Sequence, residues 1–206
     1  MYQTAIQAPG FEHRFAAELL NARAAELAER AARLLLESRP DLDRGYRPQA
    51  RAKWTEHYQG RISDLAAAVA AARPDVFVAQ VAWTKVAFAT RGVPLEDLEQ
   101  SLRALERAVL PAMAPEDAPL VESFIERAMS ELGGAPTSVP SRLTTATASG
   151  HLAAEYLLRL LEGDRIEAAR LVQASAHGGT PVRTLYREVL LPVLHELGRM
   201  WHVGDI

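Results

Sequence analysis

The sequence predicts an all-α protein in two parts: an N-terminal helical bundle followed by a second, shorter helical unit. Apolar residues recur at three- and four-residue spacing along most of the chain, the period of a helix with one buried face. Ala and Leu, both strong helix formers, supply much of a hydrophobic fraction of 49%. The alternating pattern of a half-buried strand is nearly absent.

The elements follow in order. A first helix is predicted from about Phe11 to Glu37, with Phe15, Leu19, Leu20, Leu27, Leu34 and Leu35 on one face. Pro40 ends it, and Asp41 to Pro48 reads as a loop. The second helix, from about Gln49 to Ala72, carries Trp54, Tyr58, Ile62, Leu65 and Val69. Pro74 opens a third with Phe77, Val81 and Phe88, which ends at Gly92. Pro94 opens a fourth with Leu95, Leu98, Leu102, Leu105 and Val109, since proline presets the backbone of a first turn. A fifth, from about Pro115 to Leu132, turns Val121, Phe124, Ile125 and Met129 inward.

Residues 133–142 then read as a linker, because Gly133, Gly134, Pro136 and Pro140 cannot continue a helix. The predicted domains are therefore 1–132, a bundle of sensory or dimerisation type, and 143–206. The second begins with a helix from about Thr145 to Leu161. Asp164 and Glu167 fit a capping box for the next helix, which glycines end at Gly178-Gly179. Pro181 starts a last helix with a stripe at Val182, Leu185, Tyr186, Val189, Val193, Leu197, Met200 and Trp201. Pro192 lies inside that helix and is expected to kink it. Three helices with one full apolar face fall short of a closed bundle. The face at Val189, Val193, Leu197 and Trp201 is expected to pack on the first domain, to drive self-association, or to meet a fourth helix after Ile206.

Composition excludes several function classes. A net charge of −3 gives no electrostatic case for nucleic acid as main partner. The one basic cluster, Arg44, Arg47, Arg51 and Lys53 beside Tyr46 and Trp54, reads as a charged loop and helix start. Cysteine is absent, which removes disulfides, thiolate metal sites and cysteine nucleophiles. No apolar run reaches the ~18 residues of a membrane span, and no basic-then-apolar leader opens the chain, so a cytoplasmic protein is expected.

The six histidines do not form a metal motif. His195 and His202 stand two turns apart, roughly 10 Å at 1.5 Å per residue. His195-Glu196 begins like a zinc-protease helix, but Arg199 occupies the place of the second histidine. There is no phosphate-binding loop and no nucleophile elbow. Glu96-Asp97-Glu99 and Glu116-Asp117 read as solvated helix faces. What stands out is Trp201-His202 at the end of the last helix, a large aromatic beside an imidazole, like one wall of a pocket.

Four separated stretches of the second domain carry a resemblance: Leu160 to Arg165, Ala168 to Val172, Tyr186 to Leu194, and Glu196 to Ile206. Together they resemble the helical cap of cobalamin-binding modules, most closely that of light-sensing adenosylcobalamin-dependent regulators. The resemblance covers roughly Ser149 to Ile206. It implies a four-helix bundle over the upper face of the corrin ring, followed by an α/β domain that grips the lower face. It implies adenosylcobalamin as cofactor, with Val193, Leu197, Trp201 and His202 as cofactor-binding residues. Trp201 would shield the upper axial group, and His202 would be a conditional upper ligand of cobalt once light breaks the cobalt–carbon bond. The family's Glu-His pair some ten residues past the tryptophan, and its Asp-x-His-x-x-Gly motif, do not occur in this sequence. The chain therefore reads as part of a longer sensor, not an enzyme, and residues 1–206 alone are expected to bind cobalamin weakly or not at all. A homo-oligomer and a protein partner in signalling are the expected assemblies, and no DNA-binding helix-turn-helix precedes the cap. Two other functions fit the same residues: a corrinoid methyl-carrier subunit of a methyltransferase, and a helical interaction module without ligand.

Overall fold

The structure is a computed structural model that describes residues 11–42 and 49–206. It is all-α, with no strand among the described residues, and it divides into two compact units, Met1–Thr137 and Ser138–Ile206.

Unit 1 contains α1 (Phe11–Ala22), α2 (Ala24–Ser38), α3 (Ala50–Ala70), α4 (Pro74–Thr90), α5 (Leu95–Val109) and α6 (Ala118–Leu132). The first predicted helix is thus two. The break falls at Arg23, whose guanidinium pairs with Glu26 and donates to the Ala112 carbonyl at 3.4 Å. Trp54, Tyr58, Ile62, Leu65 and Val69 of α3 are all buried and meet Leu20, Leu27, Leu35, Leu98, Leu105 and Ile125 in one core. The predicted loop at Asp41 to Pro48 is revised at its start, where Asp41 and Leu42 are helical and Leu42 is buried; the rest of it lies outside the described residues.

The acidic clusters are also not wholly solvated. Asp97 and Asp117 are buried. Asp97 sits in the first turn of α5, where helix amides favour an anion, and its carboxylate pairs with Arg39 at 2.8 Å. Tyr58 donates to the Ser101 carbonyl at 3.0 Å, so its buried hydroxyl keeps a partner.

Unit 2 contains α7 (Ala148–Leu161), α8 (Arg165–His177) and α9 (Leu191–Val203). Thr147 caps α7 by accepting the Gly150 amide at 3.0 Å. Asp164 caps α8 by accepting from Glu167 at 2.9 Å, whereas the Glu167 carboxylate pairs with Arg170 rather than closing the box. Gly150 has a steric cause: a Cβ there would lie 2.0 Å from the Thr144 carbonyl oxygen. Ala153, Leu185, Val189 and Val193 form the buried core, flanked by Leu152, Tyr156, Leu157, Leu160, Val172 and Leu197.

The predicted last helix is not one regular α-helix. Val182–Thr184 leads into a π-helical segment, Leu185–Leu190, which joins α9 directly. Pro192 explains the change of winding: it has no amide to give the carbonyl four residues back, and its ring crowds that carbonyl. The Leu191 amide instead bonds Tyr186, five residues back.

Candidate functional site

The candidate site is the outer face of α9. The π-helical segment holds more residues per turn than an α-helix, so the inner stripe shifts register as it enters α9. Leu185, Val189 and Val193 stay inside, but Trp201 does not. Leu191, Leu194, Gly198 and Trp201, spaced by three or four, form an outer stripe instead. Leu194 is 61% exposed and Trp201 72%.

The sequence-predicted site residues therefore separate. Trp201 stands on the exposed stripe. Val193 is 0% exposed and Leu197 is half-buried against the same core, so both support α9 from behind rather than line an open surface. The single face read at Val189, Val193, Leu197 and Trp201 is thus divided, because Val189 and Val193 lie in the core of unit 2 and Trp201 faces outward. His202 is only 8% exposed. Adjacent helical residues diverge by about 100° around the axis, so an exposed Trp201 and a buried His202 are geometrically consistent.

The C-terminal turn that carries this pair is pinned. Gly204 adopts φ +78°, and the Asp205 amide donates to the Met200 carbonyl at 2.8 Å, closing the helix with a glycine-ended cap. Arg199 ties Glu196 at 2.8 Å to Asp205 at 3.1 Å. These two carboxylates hold the Arg199 guanidinium's pKa above its ordinary value, the Glu196 hydrogen bond contributing most. Arg199 thus fastens the chain after the turn back onto α9, on either side of Trp201 and His202. Neither Arg199 nor the π-helical segment is named by the sequence reading as part of the site. The arginine is visible there only as a departure from a zinc motif.

Exposed apolar residues concentrate in this unit. Leu158, Leu161, Ile166, Val182, Tyr186, Leu191, Leu194, Trp201 and Ile206 are exposed in unit 2, against Phe15, Val76 and Trp83 in unit 1. Unit 2 is the shorter unit, so its surface is far richer in apolar side chains. Large apolar surfaces mark binding faces.

The histidines do not converge. No group of three or more His, Asp or Glu side chains among the described residues could hold a metal ion. His151, His177 and His195 are exposed and stand apart from His202 in sequence and burial. Of the basic cluster considered for nucleic acid, Arg44, Tyr46 and Arg47 lie outside the described residues. Trp54 is buried against His57, Tyr58 and Phe88, where no base could stack on it. No helix among the described residues is long and apolar enough to cross a membrane.

An all-α unit with a small core and an exposed apolar outer helix face has the kind of surface that marks binding faces. Residues 152–206 match the protein family described as B12 binding domain, through the model of its helical cap. The match supports a cobalamin-binding protein and a cobalamin-type cofactor. No curated protein matches the chain.

Proposed function

We propose that the protein is a light-responsive adenosylcobalamin sensor, signalling through protein contacts rather than acting as a catalyst. The observation that carries this reading is the exposed stripe Leu191, Leu194, Gly198 and Trp201 on a segment that matches a B12 binding domain. A flat apolar surface with one glycine suits close approach by a bulky, largely apolar group. Trp201 offers the largest such surface, with little conformational freedom to lose.

The chain's residues fit this cofactor in two distinct ways. Leu191, Leu194 and Trp201 would cover its upper side and exclude water there. His202 would be a ligand held in reserve, because it is buried and must be exposed before its imidazole can meet a metal. When bound, the cofactor supplies a cobalt–carbon bond that light can break. Turning α9 so that His202 comes outward would lift Val193 and Leu197 from the core of unit 2, while the Arg199 bridge to Glu196 and Asp205, internal to α9 and its cap, would turn with the helix. Imidazole is a suitable borderline ligand for cobalt.

The test uses the full-length protein loaded with adenosylcobalamin. Illumination should change the visible spectrum, and His202→Ala should give a different final spectrum from the parent. Trp201→Ala should leave folding stability within about 0.5 kcal/mol, as expected for an exposed side chain, while faster photolysis shows the loss of shielding. An illuminated His202→Ala spectrum identical to the parent's would contradict the ligand role. Absence of any light response, with methyl transfer to an acceptor instead, would favour a corrinoid carrier.

A further inference from the structure

Unit 1 contains a cleft that the cobalamin reading does not use. Its walls come from the end of α4, the turn after it, the start of α5 and the segment after α6: Lys85, Phe88, Ala89, Val93, Leu95, Leu98 and Thr137, around a volume of about 140 Å³. The turn closes with Gly92 at φ +68°, and the Val93 amide donates to the Phe88 carbonyl at 2.9 Å. That folding-back brings Val93 and Leu95 opposite Phe88. Ala89 is exposed and Phe88 half-buried, so the cleft opens to solvent beside α4.

The cleft is mainly apolar, with Thr137 as its one neutral polar residue. Its one charged residue, Lys85, is buried, and its ammonium donates to the carbonyls of Leu132 at 2.8 Å, Gly133 at 3.1 Å and Ala135 at 2.6 Å. All three ammonium hydrogens have protein partners, so only the methylene stem remains for a ligand. Behind Phe88 lie Trp54 at 6.3 Å in an edge-on arrangement and His57 at 5.8 Å. Burial and the nearby Arg61 cation hold the His57 imidazole neutral. A charged ligand would lose hydration here and gain no counter-charge. A neutral ring loses nothing comparable and gains contact with the Phe88 ring. The volume is close to the ~150 Å³ of an engineered apolar cavity that stays dry and takes up benzene.

We propose that this cleft binds a neutral aromatic ring of about benzene size, free or as the end group of a larger small molecule, so that unit 1 carries a second ligand site separate from the cobalamin cap. The test is titration of the full chain with toluene, followed by NMR of the Val93, Leu95 and Leu98 methyl groups. Benzoate and benzylammonium serve as charged analogues and Ala89→Leu as a variant that fills the mouth. The expected result is a saturable shift with toluene, with each charged analogue and the variant binding at least tenfold more weakly. No saturable shift up to toluene's solubility limit would overturn the site. Benzoate or benzylammonium binding as tightly as toluene would overturn the neutral class of ligand. Unchanged toluene binding by Ala89→Leu would overturn the location. None of these outcomes touches the cobalamin reading, whose residues lie in unit 2.

Discussion

Lys85 shows how one residue can fasten an element end. A buried lysine is costly unless it is paired, and here its ammonium donates to the carbonyls of Leu132, at the end of α6, and of Gly133 and Ala135 in the turn beyond. Lys85→Met keeps the stem but removes the donor to all three carbonyls, leaving Leu132 only its bond from the Ala135 amide. It should lower unfolding stability by about 2–4 kcal/mol in urea titration, and a loss below about 0.5 kcal/mol would show that the cap contributes little. His57 makes a prediction of the opposite kind. Burial, with Arg61 adding repulsion, pushes its imidazole down to about 3. The folded state therefore refuses a proton that the unfolded state accepts below about pH 6.5, so stability is full above that value and falls as pH drops. Between pH 7 and 5 the loss should reach about 2 kcal/mol, at about 1.4 kcal/mol for each unit below the unfolded pKa. His57→Gln should flatten that slope of the urea midpoint against pH, and an unchanged slope would assign it to other groups. Neither residue was legible as special in the sequence. Lys85 interrupts an apolar helix and His57 sits beside a core tryptophan, but only tertiary packing decides whether such a residue is buried.

Among the elements, helix ends repeat one device. The amides after α4, α7, α8 and α9 bond back five residues across a glycine with positive φ, at Gly92, Gly163, Gly179 and Gly204. The same closure follows α3, where the Arg73 amide reaches the Ala68 carbonyl at 2.9 Å, but the left-handed residue is Ala72 at φ +52°. An alanine there is strained by about 1 kcal/mol or more. Ala72→Gly should raise stability by about 1 kcal/mol in chemical denaturation, and a net loss would mean that unfolded-state entropy outweighs the relieved strain. The ends at Gly92 and Gly178-Gly179 were readable for this reason: glycine and proline write helix ends into the sequence. The break at Arg23 was not, because no glycine or proline marks it and a hydrogen bond to distant Ala112 accompanies it. Pro192 announced an irregularity, but not that a π-helical segment would absorb it. That segment is why Trp201 faces outward when an unbroken three-and-four count put it on the inner stripe with Val193 and Leu197.

At the scale of the whole molecule, the two units differ in what they bury. Unit 1 holds a large core of leucines, alanines and aromatics drawn from α1 to α6. Unit 2 buries few large side chains of its own and exposes many. A unit built that way resembles a surface held ready for a ligand, and the B12 binding domain match over residues 152–206 says which ligand class. The all-α class was legible from periodicity alone. The cofactor was legible only because several separated stretches resemble one family; the histidine spacing by itself points to no metal. The central claim is that the outer stripe of α9 receives the upper side of a cobalamin. It is tested most directly by NMR of the isotope-labelled full-length protein titrated with adenosylcobalamin. The account predicts shifts concentrated at Leu191, Leu194, Gly198 and the Trp201 indole, with the amides of α3 and α6 unmoved. No shift at these positions, or shifts confined to unit 1, would contradict it.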